Sequence, residues 1–368
     1  MTGQLQTPVP LRDALVGVDP YGAPEIADVV RLNVNENPYP PSPSLRSALA
    51  AAVLAALADV NRYPDRDATA LRADLAAYLG AGLVTEQVWA ANGSNEVMTH
   101  LMLAFGGPGR KLATLTPAYS VYPQYARDTM TDYVTMPRND DYSVDAVCLQ
   151  RLWDDHHPDM LMLTTPNNPT GTKTPLPVVE AAANWPWLVI VDEAYQEFAD
   201  DPADSAITLL PAHRNIVVAR TMSKAFALAG VRLGYLAADP AIVDACRIVR
   251  LPYHLGTQTQ ALARAALAHA QEPLRHVAEL RQTREVTQTW LRSLGLTAPA
   301  SQSNFTLFGP FADRHGVWQA LLDRGVLVRE VGPAGYLRVS MGTPDEMGLF
   351  REALVDVLDS VQEAKESR

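Results

Sequence analysis

Cysteine is scarce in this chain. Two occur in 368 residues, Cys148 and Cys246, far apart and in no metal-ligand spacing. That excludes a disulfide scaffold and a cysteine-based zinc site, and leaves inert thiols in a reducing cytosol as the expectation. Positive charge is not in excess either. The formal net charge is −11, which argues against nucleic acid or an acidic membrane as a general partner. Long apolar runs are missing: the richest, Ala48–Ala58 and Ala261–Ala270, fall short of the roughly 20 residues a membrane span needs. The opening MTGQLQTPVPLRDAL has no basic segment leading into an apolar one, so no secretory leader is expected and a cytoplasmic location is. Repeats with a period of about 20–50 residues are absent, which removes solenoids and propellers. His156 and His157 lie in a polar loop with no third ligand in sight, so no metal is expected.

What is present reads as a globular protein of two or three lobes, with 48% hydrophobic and 19% charged residues. Residues 1–40 are rich in Pro and Gly, run into the NVNENPYPPSPS stretch, and read as an extended arm. From Ser44 onward helical stretches alternate with short apolar runs: KLATLT (111–116), MLMLTT (160–165), WLVIVD (187–192) and NIVVAR (215–220). Buried strands separated by helical crossovers predict an α/β fold with a mostly parallel, helix-covered sheet over residues 41–252. Beyond it, a long helical region, SNFTLFG, a helix near Trp318–Arg324, and the runs VLVRE and YLRVS predict a smaller α+β domain over 253–368.

Ligands of such sheets collect at the carboxyl ends of the strands, and four polar segments stand there or beside a helix start. WLVIVD ends in Asp192-Glu193-Ala194-Tyr195, and NIVVAR runs into Thr221-Met222-Ser223-Lys224. MLMLTT runs into Pro166-Asn167-Asn168-Pro169-Thr170-Gly171, and Asn92-Gly93-Ser94-Asn95-Glu96 opens a helix. Alone, each has an ordinary reading as a surface lysine, a solvated turn or a helix cap. Together, in this order, they point to one site.

These segments resemble those of the fold-type I pyridoxal-phosphate (PLP) aminotransferases. Within that group the chain is similar to the histidinol-phosphate aminotransferases of actinobacteria. DPYGAPEI, RLNVNENPYPPS, NRYPDRDATALR, NGSNE, PNNPTG, IVDEAYQEF, RTMSKAFALAGVRLGY, LPYHL, SNFTLFG and LVRE with LRVSMGTP carry the resemblance over nearly the full length.

The resemblance implies pyridoxal 5'-phosphate as cofactor and a catalytic set of Lys224, Asp192 and Tyr195. Lys224 is the Schiff-base lysine, whose amine must shed its proton to act as nucleophile and base. Asp192 pairs with the pyridinium nitrogen, which keeps the ring an electron sink. Tyr195 and Asn168 donate to the ring's phenolic oxygen. Ser94 and Asn95 cradle the phosphate at a helix start, with Thr221, Ser223 and Arg232 around it. Tyr119 stacks on the ring, although Tyr122 competes for that role because TPAYSVY departs from the commoner pattern. Tyr63 reaches the phosphate of a neighbouring subunit, which implies a homodimer with shared sites; its alternative is a local turn residue.

For substrate, Arg338 takes the α-carboxylate of glutamate or 2-oxoglutarate, and Arg329 takes the phosphate of L-histidinol phosphate. Tyr21 and Asn35 of the arm close over it. Surface ion pairing is the alternative for the two arginines. The implied activity is amino-group exchange between histidinol phosphate and 2-oxoglutarate in histidine biosynthesis. An aromatic amino-acid aminotransferase and a threonine-phosphate decarboxylase would share much of the set. A non-catalytic PLP-binding regulator would bring a basic helix-turn-helix segment or lack catalytic groups, and neither feature is seen.

Overall fold

The computed structural model describes residues 10–366, with side chains to Ser360. Residues 1–9 of the expected arm, and the leader reading that rests on them, lie outside this range. Twelve strands run in chain order: β1 Val30–Arg31, β2 Val88–Ala91, β3 Lys111–Thr116, β4 Asp132–Pro137, β5 Met160–Thr164, β6 Leu188–Asp192, β7 Ile216–Thr221, β8 Gly234–Ala238, β9 Phe305–Phe308, β10 Val326–Leu327, β11 Arg329–Glu330 and β12 Leu337–Ser340.

Seven of them form one sheet in the order β2-β8-β7-β6-β5-β3-β4. Only β8 runs against its neighbours, so the α/β class with a mostly parallel sheet is what the chain adopts. The four runs predicted from their apolar character are β3, β5, β6 and β7, each within a residue of expectation. Their legibility has a physical cause: helices cover both faces, so successive residues are buried on opposite sides and the strand is apolar throughout. Ile190 and Val217 pack into one core, while their neighbours Val189 and Val218 pack into the other. The edge strand β4 is partly exposed and mixes polar with apolar residues, which hides it among loops.

From β3 the chain first moves outward to β4, then crosses back to β5 on the other side. That reversal opens a crevice at the carboxyl ends of β3 and β5, the place where open α/β sheets bind ligands.

The C-terminal part holds the antiparallel sheet β11-β12-β9 with the helices Gln271–Ser293, Arg314–Asp323 and Pro344–Glu366. The run VLVRE divides between two sheets. Val326–Leu327 pairs with the arm strand Val30–Arg31, whereas Arg329–Glu330 pairs with β12. The arm is therefore tied to the C-terminal lobe by backbone hydrogen bonds. The long helical region expected after Leu251 is two helices, Thr257–Ala268 and Gln271–Ser293. The first packs against Pro43–Ala56 and Thr69–Leu79 of the large lobe. Among the described residues, no helix is long and apolar enough to cross a membrane.

One close approach sets the geometry at the sheet's edge. A Cβ on Gly234 would collide with the backbone of Gly93 and Ser94, where the helix Ser94–Phe105 begins. Gly234→Ala is expected to cost about 1–3 kcal/mol of stability, read by urea unfolding, since backbone cannot give way as a side chain would. An unchanged midpoint would refute the contact.

Candidate active site

Lys224, Asp192, Tyr195, Asn168 and Tyr119 all stand just beyond, or at the end of, parallel strands that point the same way. They line one cavity of about 240 Å³ with the helix start at Ser94 and Asn95, the arm residues Tyr21 and Asn35, and Arg329 and Arg338 of the C-terminal sheet. Thr221, Ser223 and Arg232 complete its wall.

Lys224 is half-buried, and its Nζ donates to the Val34 carbonyl at 3.1 Å. Burial lowers its pKa to about 8; Arg338 and Arg232 act in the same direction, and Glu36 opposes them. An amine in this setting yields its proton far more readily than a surface lysine.

Asp192 is buried at the end of β6, and burial pushes its carboxyl up. Two donors hold it: Tyr122 Oη at 2.7 Å on Oδ2 and the Ala194 amide at 3.2 Å on Oδ1. No cation balances its charge among the described residues. The neighbouring carboxylates Glu193 and Glu197 are paired instead with the buried Arg220.

At one end of the cavity, Ser94 and Asn95 occupy the first positions of a helix whose leading amides have no intrahelical acceptor. Arg232 lies beside them, bonded to Ser223 Oγ at 3.3 Å and the Ala229 carbonyl at 3.0 Å, and makes no ion pair among the described residues. Gly93 is required here on two counts. Its φ is +84°, and an added Cβ would stand 2.5 Å from Arg232 Nη2. An unpaired guanidinium at a helix N-terminus is a receptor for an oxyanion.

At the other end, Arg329 and Arg338 face each other directly across the β11–β12 ladder. Arg338 is buried; its Nη1 donates to Asn168 Oδ1 at 2.6 Å, its Nη2 donates to the Asn33 carbonyl at 2.8 Å, and its guanidinium lies over the Phe305 ring. Burial lowers its pKa to about 10; Arg329 acts in the same direction, and Tyr195 opposes them. Arg329 donates to the Gly22 carbonyl at 3.2 Å. Neither has a carboxylate partner among the described residues, so two like charges converge there with nothing to offset them, an arrangement suited to anions. The alternative of surface ion pairing is not what the geometry displays.

Asn35 joins arm to sheet. Its Nδ2 donates to Tyr195 Oη at 2.9 Å, and its amide donates to Ser340 Oγ at 2.9 Å. Tyr195, buried, has its phenol pushed up to about 12, chiefly by burial, against the pull of Arg338. Tyr21 sits at the mouth, 53% exposed.

Of the two competing tyrosines, Tyr119 lines the cavity, while Tyr122 is fully buried behind it. Tyr63 is not at this cavity. It is 79% exposed and stacks on Tyr253 with ring centroids 4.4 Å apart. Asn33, Ser120 and Thr164 also line the cavity and were not singled out from sequence. Thr164 could have been found near the end of a strand already recognised; the Asn33 carbonyl accepts from Arg338, and a backbone group carries no sequence signal. Among the described residues no cluster of His, Cys, Asp and Glu could hold a metal ion.

Comparison with known proteins places this geometry among relatives. The family model for aminotransferase class I and II matches residues 27–354. A histidinol-phosphate aminotransferase of Thermobifida fusca (strain YX) is 55% identical over 348 residues, covering 94% of this chain and 95% of its own length. Another, from Frankia casuarinae, is 51% identical over 355 residues, covering 94% and 89%. Among solved structures, the histidinol-phosphate aminotransferase of Sinorhizobium meliloti in complex with pyridoxal-5'-phosphate is similar at a TM-score of 0.81 and 25% identity, over 92% of this chain and 96% of that one.

Proposed function

The chain belongs to the class I and II aminotransferases, and from that premise we propose that it exchanges the amino group of L-histidinol phosphate with 2-oxoglutarate, using pyridoxal 5'-phosphate, as a step of histidine biosynthesis. The observation that carries the choice of substrate is the cross-strand pair Arg329 and Arg338, two cations without carboxylate partners at one end of the cavity.

The residues fit the cofactor on three counts. Asp192 is a buried carboxylate lacking a cation, as a partner for a protonated ring nitrogen requires. Arg232 and the helix start lack an anion, as a phosphate requires. Lys224 offers a readily deprotonated amine between them. Tyr119 supplies a face to stack on, and Tyr195 and Asn168 supply donors to a phenolic oxygen. When bound, the cofactor provides an electron sink for the bond being broken at the substrate carbon.

The chain's own residues do the rest. Lys224 would hold the cofactor through its Nζ and, as a free amine, would accept the proton from the substrate Cα and give it back. Asp192 holds a proton on the ring nitrogen. Arg338 binds the α-carboxylate of glutamate and 2-oxoglutarate in a bidentate fork. Arg329 binds the phosphate of the other substrate, and Tyr21 and Asn35 close the arm over both, excluding water. One pocket thereby accepts two molecules in turn, as a ping-pong cycle demands.

Tyr63 and Tyr253 form an exposed aromatic pair near exposed Ile248 and Leu251. This supports a homodimer in which Tyr63 reaches the phosphate of the partner's cofactor. Residues 1–40, 41–252 and 253–368 serve as arm, cofactor-binding domain and smaller domain, and a biosynthetic role suits the cytoplasm.

The test is steady-state kinetics of the purified enzyme with 2-oxoglutarate. The specificity constant for histidinol phosphate is expected to exceed that for phenylalanine by about 10²-fold, the worth of one charged contact to the phosphate. Equal constants would favour an aromatic amino acid as donor. Release of CO2 from threonine phosphate without 2-oxoglutarate would mean decarboxylation instead.

A further inference from the structure

We infer that Tyr122, with Thr164 bonded to it, is a positioning residue for the proposed reaction: the two hydroxyls form a one-way proton-donor chain that ends on Asp192 and sets how strongly its carboxylate holds a proton on the cofactor ring. This rests on the reading of Asp192 as partner of the ring nitrogen.

Tyr122 opens the short helix Tyr122–Asp128, and its side chain is 0% exposed. Its Oη lies 2.7 Å from Asp192 Oδ2 and 2.5 Å from Thr164 Oγ1. An ionised carboxylate can only accept, so the single phenolic proton goes to Asp192. The phenol oxygen is then an acceptor, and Thr164 must donate to it. The direction of both bonds follows from the charge on Asp192. Thr164 is held in place because its backbone lies directly opposite Asp192 in the β5–β6 ladder.

The surroundings make this chain matter. The charged and titratable groups facing Asp192 are Glu193 and the phenols of Tyr122, Tyr125 and Tyr195. None is a cation. Apart from the Ala194 amide, Tyr122 is the only group among the described residues that donates to the carboxylate. A second hydroxyl polarises the first, so the chain is stronger than either bond alone. Tyr122 does not line the cavity, whereas Tyr119, three residues earlier, does. The two tyrosines that compete in the sequence thus have separate tasks: one faces the cavity, and the other acts through Asp192.

The test uses holoenzyme carrying pyridoxal phosphate labelled with ¹⁵N in the ring, whose chemical shift reports the protonation of that nitrogen as pH is varied. In the wild type the nitrogen is expected to stay protonated through neutral pH. Tyr122 lowers the Asp192 carboxyl by donating to it, so in Tyr122→Phe, which keeps the ring and removes that bond, the carboxylate becomes more basic and the ring nitrogen is expected to titrate at least about one pH unit higher. The pH at which kcat declines on the alkaline side should move up with it, with the KM of both substrates little changed. Thr164→Val should shift the titration in the same direction by less. A Tyr122→Phe holoenzyme with the wild-type titration overturns the inference, whether or not its melting temperature has dropped, because a merely structural role would leave the ring nitrogen unmoved. A wild type whose ring nitrogen is unprotonated at neutral pH overturns the pairing with Asp192 itself, and the inference with it.

Discussion

Lys224→Ala is expected to lower transamination by about 10⁴-fold or more, because both covalent attachment and the acid–base group at the substrate carbon are lost together. The visible absorbance band of the lysine-bound cofactor should vanish while the far-UV circular dichroism stays. The same substitution should not weaken the cofactor-free protein. Lys224 is held below its ordinary value, at about 8, so its charged form is disfavoured by folding. The sign follows by linkage: the cost is fully present below the folded value and disappears as pH rises through the unfolded value of about 10.4. At pH 7 the wild-type cofactor-free protein therefore carries a half-buried ammonium near Arg338 and Arg232, and the alanine variant does not. Its melting temperature at pH 7 should equal or exceed that of the wild type. Near-normal turnover would remove Lys224 from the chemistry; a collapsed melting temperature would mean that the loss of activity reports unfolding.

Arg329→Ala should separate the two substrates. If Arg329 takes the phosphate, its removal deletes a charged hydrogen-bonding contact of about 1.5–3 kcal/mol, a loss of roughly 10- to 150-fold in kcat/KM for histidinol phosphate. Glutamate, whose α-carboxylate is assigned to Arg338, should lose less than about tenfold. Arg338→Ala should do the opposite in part and more severely. It removes a buried cation that also holds Asn168 and the Asn33 carbonyl, so both half-reactions suffer. Truncation of such a pair costs about 2–5 kcal/mol. Arg329→Lys should recover little, since a single ammonium cannot replace the planar fork. Equal losses on both substrates in Arg329→Ala would detach Arg329 from the phosphate and favour an aromatic donor.

Much of this was legible in the chain, for local reasons. A strand covered on both faces must be apolar throughout, so MLMLT, LVIVD and IVVART are recognisable without neighbours. The residue after such a strand in a parallel sheet faces the binding edge, so Asn168, Tyr195 and Lys224 can be located from sequence order alone. Glycine at position 93 betrays a positive φ and a close approach, and the next residues open a helix. Those three facts need only a dozen residues each.

What escaped depends on contacts between distant segments. VLVRE gives no sign that it splits at Val328 between the arm strand and β12, because partner choice is decided by packing across about 300 residues. Tyr119 and Tyr122 are chemically equivalent in the sequence, and only the burial of one against Thr164 and Asp192 separates them. Tyr63 stands at the surface against Tyr253, and the role its motif implies belongs to a second copy of the chain, which no local stretch can place.

By itself, then, the sequence determined the α/β sheet, the order of polar residues along its binding edge and the lysine at its centre, since each follows from short-range burial and turn chemistry. The tertiary structure alone decided that Arg329 and Arg338 stand opposite each other without counter-charges among the described residues, that the arm is laced to the C-terminal lobe, and that Asp192 answers to Tyr122. These are matters of register and of electrostatics in a shared low-dielectric space, and no local stretch of chain contains them.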